Sequence, residues 1–307
     1  MSVWNRDLHS EAPRNWPPIL ALLFAATLWG LFWFPLRWLE SRGVEGLWAV
    51  LLIYSSTMLV AVPMLWRHWP QFRGNPTTLL IIGLANGWCN ISFFLAVLDG
   101  TVVRVVLLFY LSPVWSVLLG RIILGERLSA RAWTNWTLAI IGALIMLADP
   151  GVGFPIPQST ADWLAVSSGL AFSLGNVLTR RAAHVAVGAK TAAAWSGCFL
   201  IAVVWQWIVP APAPPLDPSS LSVAIGLGIF GIVIMTSCVL YGVSRLPVYQ
   251  SSVIMLFELV VAAISAQWLT DEVVTTREWI GGTLILIAAW LSARDQQRPP
   301  PDQPSHA

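Results

Sequence analysis

Two stretches of the 307-residue chain, 146 positions apart, share one pattern: LGERLSARAW from Leu124 to Trp133, and TDEVVTTREW from Thr270 to Trp279. At this offset Glu126 corresponds to Glu272, and each stretch ends in an Arg-x-Trp triplet. Each stretch also connects two long apolar runs. The chain is therefore interpreted as one membrane unit that occurs twice, an arrangement typical of small secondary transporters.

The composition indicates the class of protein. Of the 307 residues, 57% are hydrophobic and only 10% are charged, with a mean hydropathy of +0.71. A water-soluble chain of this length needs more charge to cover its surface. The apolar residues form continuous runs of about 20, long enough for a helix to span hydrocarbon. We predict an all-α membrane protein with ten transmembrane helices, numbered in chain order: 17–38, 45–66, 77–98, 102–122, 132–148, 162–181, 190–209, 221–243, 249–269 and 278–293.

The distribution of basic residues predicts the orientation of these helices. With the N-terminus in the cytoplasm, 13 Lys and Arg residues fall on the cytoplasmic side and 4 on the outer side. Because basic residues concentrate in cytoplasmic loops, this asymmetry predicts a multi-pass protein of the cell inner membrane with both termini in the cytoplasm. Two of the outer residues, Arg37 and Arg42, oppose this orientation.

The segment DPGVGFPIPQSTAD, from Asp149 to Asp162, divides the chain, because its prolines and glycines cannot continue a helix. Five predicted helices precede it and five follow, and an odd number in each half forces the two halves into opposite orientations. Such inverted repeats place the substrate path near the membrane midplane, between the halves. The predicted domains are a cytoplasmic N-terminal tail (1–16), a first five-helix repeat (17–148), a linker (149–161), a second five-helix repeat (162–293) and a disordered cytoplasmic tail (294–307).

Three groups of residues resemble the EamA-type branch of the drug/metabolite transporter superfamily. They are Leu28-Trp29-Gly30 in helix 1; YLSPVWSVLLGRIILGERLS from Tyr110 to Ser129, followed by an apolar run with Gly142; and FELVVAAISAQWLTDEVVT from Phe257 to Thr275, followed by Gly281-Gly282. The resemblance covers about residues 20–293. It implies export or exchange of small metabolites, amino acids included. Where this family usually has a proline in helix 9, the chain has Leu259, preceded by Glu258.

Glu258 is the only acidic residue deep within a predicted helix. A charged side chain at the centre of the hydrocarbon costs about 3 kcal/mol or more, and such residues usually have a function. Because burial disfavours the charged form of a carboxyl group, Glu258 is a candidate proton carrier, or a counter-charge for an ammonium group. The alternatives are a neutral glutamic acid that is hydrogen-bonded to a neighbouring helix, or a residue at the edge of the span if helix 9 has other bounds.

Polar and aromatic side chains in other helices are further candidates for a solute site. Asn86 and Asn90, four apart in helix 3, project from one face and either join helices or line the pathway; Asn176 in helix 6 is a similar candidate. Trp29 and Trp33, four apart in helix 1, stack on one face. They form either an aromatic wall for a cation or flat solute, or part of the packed core.

Helix 4 places Tyr110, Ser112 and Pro113 near the midplane. Pro113 removes a backbone hydrogen bond and frees the carbonyl near Phe109. Inside a carrier such a break exposes polar backbone to a cavity; the alternative is a kink that is tolerated for packing.

Other polar residues receive a structural interpretation. Glu126 and Glu272 lie in loops, each at the start of a helix, and are expected to cap that helix at its positive end. The hydroxyls of Thr236, Ser237 and Tyr241 in helix 8 are expected to bond to the preceding turn.

These features predict a carrier and not an enzyme, with no cofactor. The chain has no Gly-x-x-x-x-Gly-Lys motif for ATP. Its four histidines lie in tails or loops and form no cluster with the spacing of metal ligands. We expect a secondary transporter that exports or exchanges small organic metabolites by alternating access, with proton coupling through Glu258. Its partners are the solute and the lipid bilayer, not nucleic acid, and it is a monomer or a homodimer. An uptake carrier for a nucleoside-like or vitamin-like solute is the alternative, and a membrane scaffold or enzyme is the third reading.

Overall fold

The computed structural model describes residues 16–44, 46–99, 102–126, 128–147, 157–215, 217–269 and 275–295. Within these ranges the chain forms fifteen α-helices and two π-helical turns, and no strand. The helices are α1 (Trp16–Leu31), α2 (Trp33–Ser41), α3 (Gly46–Arg67), α4 (Trp69–Gly74), α5 (Pro76–Asp99), α6 (Val102–Phe109), α7 (Ser112–Leu119), α8 (Ala130–Leu147), α9 (Thr160–Arg181), α10 (Val187–Ile208), α11 (Pro218–Gly226), α12 (Val233–Val243), α13 (Val248–Met255), α14 (Phe257–Leu269) and α15 (Thr276–Asp295). The π-helical turns are Gly120–Leu124 and Leu227–Ile232.

The predicted apolar runs are helical over most of their described length, but the first, fourth, eighth and ninth runs are each divided into shorter helices. The short helix α4 was not predicted from the sequence. By length and composition, six stretches of the described residues can cross a membrane: Trp16–Ser41, Gly46–Arg67, Pro76–Val97, Val187–Ile208, Pro218–Val243 and Val248–Leu269. The apolar helical stretches Ser112–Leu124 and Trp279–Ser292 are shorter.

Parts of several predictions lie outside the described residues. These are the N-terminal tail up to residue 15, residues 148–156 at the predicted linker, the loop with Glu272, and the C-terminal tail beyond residue 295.

The fourth and ninth apolar runs are interrupted at corresponding positions. One break lies at Tyr110–Leu111, between α6 and α7, and the other at Leu256, between α13 and α14. The offset of 146 positions relates Tyr110 to Leu256. Pro113, in the first turn of α7, has no N–H to continue the helix. At the second break Leu259 donates its N–H to the Leu256 carbonyl at 3.1 Å, so this break forms without a proline.

Helices of the first half pack mainly against helices of the second half. Helix α5 packs along α9 and α10, α1 packs against α12 and α14, and α8 packs along α15. Helix α3 contacts α10 and the π-helical turn before α12. The buried core is therefore shared between the halves, and the space at the centre of the bundle has walls from both.

Glycines allow the closest of these approaches, between α5 and α10. A Cβ placed on Gly83 would come to 2.7 Å from the Ala193 carbonyl oxygen, and a Cβ on Gly197 would collide with the backbone of Gly83. Small residues of this kind let two membrane helices pack backbone to backbone.

Candidate functional site

A cavity of about 410 Å³ lies between the two halves of the chain. This volume lies within the range of about 300–1,000 Å³ that is typical of small-molecule sites. Its lining comes from α1, α2, α3, α5, α6 and α7 in the first half, and from α9, α10, α12, α13 and α14 in the second. All nine candidate residues from the sequence line it: Glu258, Trp29, Trp33, Asn86, Asn90, Tyr110, Ser112, Pro113 and Asn176. The fold brings them together, while their role in binding a solute stays a prediction.

A hydrogen bond between Tyr110 and Glu258 joins the two helix breaks. Tyr110 lies in the break of the first half, and Glu258 lies in the first turn of α14, just after the break of the second half. The Tyr110 hydroxyl donates to Oε1 of Glu258. Oε2 has no hydrogen-bond partner among the described residues. One carboxyl oxygen is thus bonded to a neighbouring helix and the other is left to the cavity.

Aromatic rings form a wall beside this carboxyl group. Phe109 lies at the centre of the cluster, with ring centroids 5.1 Å from Phe93, 5.5 Å from Tyr110 and 5.7 Å from Phe172. All four rings line the cavity. Because Tyr110 belongs to the cluster and also binds Glu258, the wall and the carboxyl group form one continuous surface.

The two tryptophans of the first apolar run both line the cavity, but they do not stack on each other. The helix is interrupted at Phe32, between them, and the Trp29 ring packs against Phe32 with centroids 5.4 Å apart. The Trp33 indole N–H donates to the Ser265 hydroxyl of α14 at 3.0 Å. The expected stacking on one helical face is therefore wrong, although each ring contributes to the cavity separately.

The three asparagines differ in how many of their polar atoms are already bonded. The Asn90 amide accepts from the Tyr54 hydroxyl at 3.1 Å and donates to the Cys198 sulfur at 3.4 Å, so it joins α3, α5 and α10. Asn86 donates to the Ile82 carbonyl of its own helix at 2.8 Å. Asn176 is only 7% exposed, and its side chain forms no hydrogen bond within the described structure. Asn90 thus acts as a helix-joining residue, whereas Asn176 offers a free amide to the cavity.

The break in the first half is packed against α9. The Phe109 carbonyl, which loses its helical partner because of Pro113, lies against Gly169, where a Cβ would approach it to 2.7 Å. The Ser173 hydroxyl donates to the Ser112 carbonyl at 2.7 Å. Polar backbone at the break is therefore partly satisfied by α9, and the Ser112 hydroxyl itself forms no hydrogen bond in the described structure.

The capping role expected for Glu126 is wrong in one respect: Glu126 does not cap the helix that follows it. Ser129 does so, since its hydroxyl accepts from the Ala132 N–H at 3.2 Å. Glu126 Oε2 instead accepts from the N–H of Val248 at 3.1 Å, at the start of α13 in the other half. Burial raises the pKa of Glu126, against the opposing effects of the Val248 hydrogen bond and of Arg180, whose Nε lies 3.9 Å from Oε1. Its counterpart Glu272 lies outside the described residues.

Sequence reasoning missed several residues at or near the site. Tyr54, Trp195 and Thr236 also line the cavity. The Thr236 hydroxyl does not bond to the preceding turn as expected, because it has no hydrogen bond in the described structure. Trp195 lies deep in a predicted helix, a signal that could have identified it.

Fully buried Lys190, which does not line the cavity, donates from Nζ to the carbonyls of residues 179 and 182 at 3.1 and 3.0 Å, which caps the end of α9.

Comparison with known proteins identifies the family. The sequence pattern of the EamA-like transporter family matches residues 16–148 and 159–294. The chain is 23% identical over 191 residues to an uncharacterized transporter of Pseudomonas aeruginosa; the match covers 60% of this chain and 60% of the relative, less than two thirds of its length. It is 24% identical over 235 residues to protein RarD of Salmonella typhimurium, covering 73% of this chain and 75% of that protein.

The fold is also found among solved structures. A protein of known crystal structure superimposes with a TM-score of 0.72 at 19% identity, covering 92% of this chain and 99% of the other. At this identity the likeness establishes the fold alone. With both halves of the sequence matched and the apolar helices in place, the chain belongs to the EamA-like transporter family and is a multi-pass membrane protein.

Proposed function

We propose that the protein is a secondary transporter of the inner membrane that exports or exchanges small organic metabolites by alternating access. In this proposal ten membrane-crossing helices form two inverted five-helix repeats, with both termini in the cytoplasm. The observation that carries the proposal is a cavity walled by both halves, in whose described lining one carboxyl group, that of Glu258, lies where two helix breaks meet.

The symmetry of the helix packing supports inverted repeats. The contacts of α1, in the first half, with α12 and α14 correspond to those of α9, in the second half, with α5 and α7. The helix breaks are also related by the 146-residue offset of the sequence. Transporters built from inverted repeats commonly bind the solute at such discontinuous helices, and rocking of one repeat against the other exposes the site to each side in turn.

Glu258 supplies the coupling group in this mechanism. A carboxyl group in a largely apolar cavity is stabilised when it is neutralised, either by a proton or by a cationic group of the solute. When the site opens to the opposite side, water enters and the proton gradient favours replacement of the bound cationic group by a proton, or of the proton by that group. Proton movement in one direction then drives the solute in the other.

Counterflow in liposomes tests this function. The purified protein is reconstituted with a panel of amino acids and aromatic amines, and the wild type is compared with Glu258→Gln and with Glu40→Gln, an exposed control on α2. Losing a hydrogen bond to a charged group corresponds to about a 10- to 100-fold effect on affinity. We therefore expect Glu258→Gln to slow counterflow at least about tenfold or to abolish its pH dependence, and Glu40→Gln to behave as the wild type.

Two results would contradict the proposal in different ways. Counterflow that is equal in the wild type and in Glu258→Gln at every pH would keep the carrier and remove Glu258 from its mechanism. Folded protein that moves no member of the panel would count against transport of amino acids and amines.

A further inference from the structure

The charge of the cavity has one sign. Glu258 is the only charged residue in its described lining, and it keeps Oε2 unbonded. A buried carboxylate loses hydration, and a well-placed cation at short range offsets part of that loss. No Lys, Arg or His belongs to the described lining, so that part of the protein supplies no such cation.

A solute carboxylate, by contrast, meets only neutral donors in the described lining, among them the hydroxyls of Ser112 and Thr236, the amide of Asn176 and the indole N–H of Trp195. The N-terminal ends of α7 and α14 lie at the breaks, and such positive ends commonly hold anions. At α7, however, Pro113 lacks an N–H, and the N–H of Val114 is already donated to the Leu111 carbonyl at 2.9 Å. At α14, Glu258 lies in the first turn and places its own negative charge on that end. The break regions therefore disfavour an anion.

The aromatic wall suits a cation with a flat body. The cluster of Phe93, Phe109, Tyr110 and Phe172 adjoins the carboxyl group through the Tyr110 hydroxyl. Ring faces carry partial negative charge and attract ammonium groups within about 6 Å. They also provide apolar area against which an aromatic or alicyclic skeleton packs.

The free amide of Asn176 adds a neutral polar contact. It is buried, lines the same cavity and has no partner in the described structure. An amide can donate or accept, so it suits a hydroxyl or ring N–H on the body of a solute without adding charge.

From these four features we infer that the cavity selects organic monocations, an amine with a flat apolar body, over zwitterions, neutral molecules and anions of the same shape. The ammonium group lies at Glu258, the body packs on the cluster around Phe109, and a polar substituent reaches Asn176. This inference names the solute class of the transport site and rests on the proposed function.

Four indole compounds of similar shape test the inference. Radiolabelled tryptamine, a cation, is bound to the purified full-length protein in detergent and displaced by unlabelled tryptamine, tryptophan, indole-3-ethanol or indole-3-propionate. We expect tryptamine to compete at least about tenfold better than the zwitterion, the neutral alcohol or the anion, the effect of one charge-assisted hydrogen bond.

Variants show whether Glu258 causes the selectivity. Glu258→Gln should make tryptamine and indole-3-ethanol compete equally, whereas Glu258→Asp should keep the preference for tryptamine at lower affinity. Glu40→Gln should match the wild type. The Asp variant retains a buried acid, so it keeps the test decisive if Glu258→Gln fails to fold.

Three outcomes overturn the inference: no binding of tryptamine, equal or better competition by tryptophan or indole-3-propionate, and an unchanged preference in Glu258→Gln. Counterflow of the same compounds separates this inference from the proposed function. Selective binding of tryptamine without counterflow supports the cation site and contradicts transport. Counterflow of tryptophan but not of tryptamine supports transport and overturns the cation site.

Discussion

Asn90 and Asn176 carry the same amide group, but the structure uses them differently. Asn90 satisfies the hydroxyl of Tyr54 and contacts the sulfur of Cys198, two side chains on separate helices. Asn176 is buried beside the cavity with no partner among the described residues. The bonds of Asn90 stabilise the packing of its helices, and the unbonded amide of Asn176 lines the cavity where a solute is proposed to bind.

This difference predicts opposite effects of two alanine substitutions. Asn90→Ala should lower stability by about 1–3 kcal/mol, because the buried Tyr54 hydroxyl loses its acceptor. Asn176→Ala should leave stability unchanged and weaken solute binding about two- to tenfold, the effect of one neutral hydrogen bond. Thermal unfolding and equilibrium binding of the same two proteins check both statements. The reverse pattern, with Asn176→Ala unstable and Asn90→Ala weak in binding, would contradict this assignment.

Glu126 makes a residue-scale prediction about pH. Burial raises the pKa of its carboxyl group above the ordinary value of 4.5. The folded protein therefore binds more protons than the unfolded chain between the two pKa values. The contribution of Glu126 to stability is greatest below the unfolded pKa and decreases as the pH rises through the folded-state pKa.

Glu126→Gln should remove this part of the pH dependence, because its amide oxygen can still accept from the Val248 N–H and carries no charge. Glu126→Ala should cost about 1 kcal/mol at low pH, since the start of α13 loses its cap, and less as the pH rises. Unfolding midpoints of the three proteins from about pH 4 to pH 8 measure the effect. If Glu126→Gln kept the wild-type slope, its titration would not be the cause.

At the scale of elements, the two helix breaks have different causes. The first contains Pro113, which cannot continue the hydrogen-bond ladder. The second, at Leu256, has no proline, and α1 approaches it closely through Gly30, where a Cβ would come to 2.7 Å from the Glu258 carbonyl oxygen. Contact between elements thus accompanies a break that local sequence does not predict.

The α5–α10 contact gives a prediction at this scale. Gly197→Ala should destabilise the protein by about 1–3 kcal/mol, the usual cost of overpacking, because its Cβ would collide with the backbone of Gly83. Gly226→Ala is the matched control: it lies at the end of helix α11 with nothing within 4 Å of its Cβ, and should be neutral or slightly stabilising. Thermal unfolding in detergent compares the two, and equal midpoints would show that α5 and α10 pack less closely than described.

At the scale of the whole molecule, the halves interlock and do not lie side by side. Helices α5, α1 and α8 of the first half each pack along helices of the second. The cavity, the Tyr110–Glu258 bond and the Glu126–Val248 cap all join the two halves. A movement of one half against the other must therefore change each of these contacts at once.

The proposed inverted arrangement predicts the sides on which two exposed alanines lie. Ala130, at the start of α8, should face the cytoplasm, and Ala213, in the loop before α11, should face outward. In a variant that lacks Cys89, Cys198 and Cys238, Ala213→Cys should react with a membrane-impermeant maleimide on intact cells. Ala130→Cys should react only after the cells are permeabilised. Labelling of both from outside would contradict the orientation.

Much of the general architecture could be predicted from the sequence, because the signals are local. Helix length, continuous hydrophobicity and turn-forming segments depend on neighbouring residues, and they indicate helices near their observed positions. The duplicated pattern around Glu126 and the family resemblance were equally readable. Glu258 was noticeable as a lone acid in an apolar run, and it lines the cavity.

The use of each polar group was decided only by the tertiary structure. Tyr110 and Glu258 are 148 positions apart, and Glu126 caps a helix 122 positions away rather than its own. Whether an asparagine bonds to a neighbouring helix, as Asn90 does, or stays unbonded, as Asn176 does, likewise depends on which helices pack beside it. Sequence by itself determined the helices, the duplication and the class of protein, since short-range hydrophobic patterns control them. The fold decided which buried groups are paired and which remain free for a solute, because hydrogen bonds depend on distances that only the packed molecule defines.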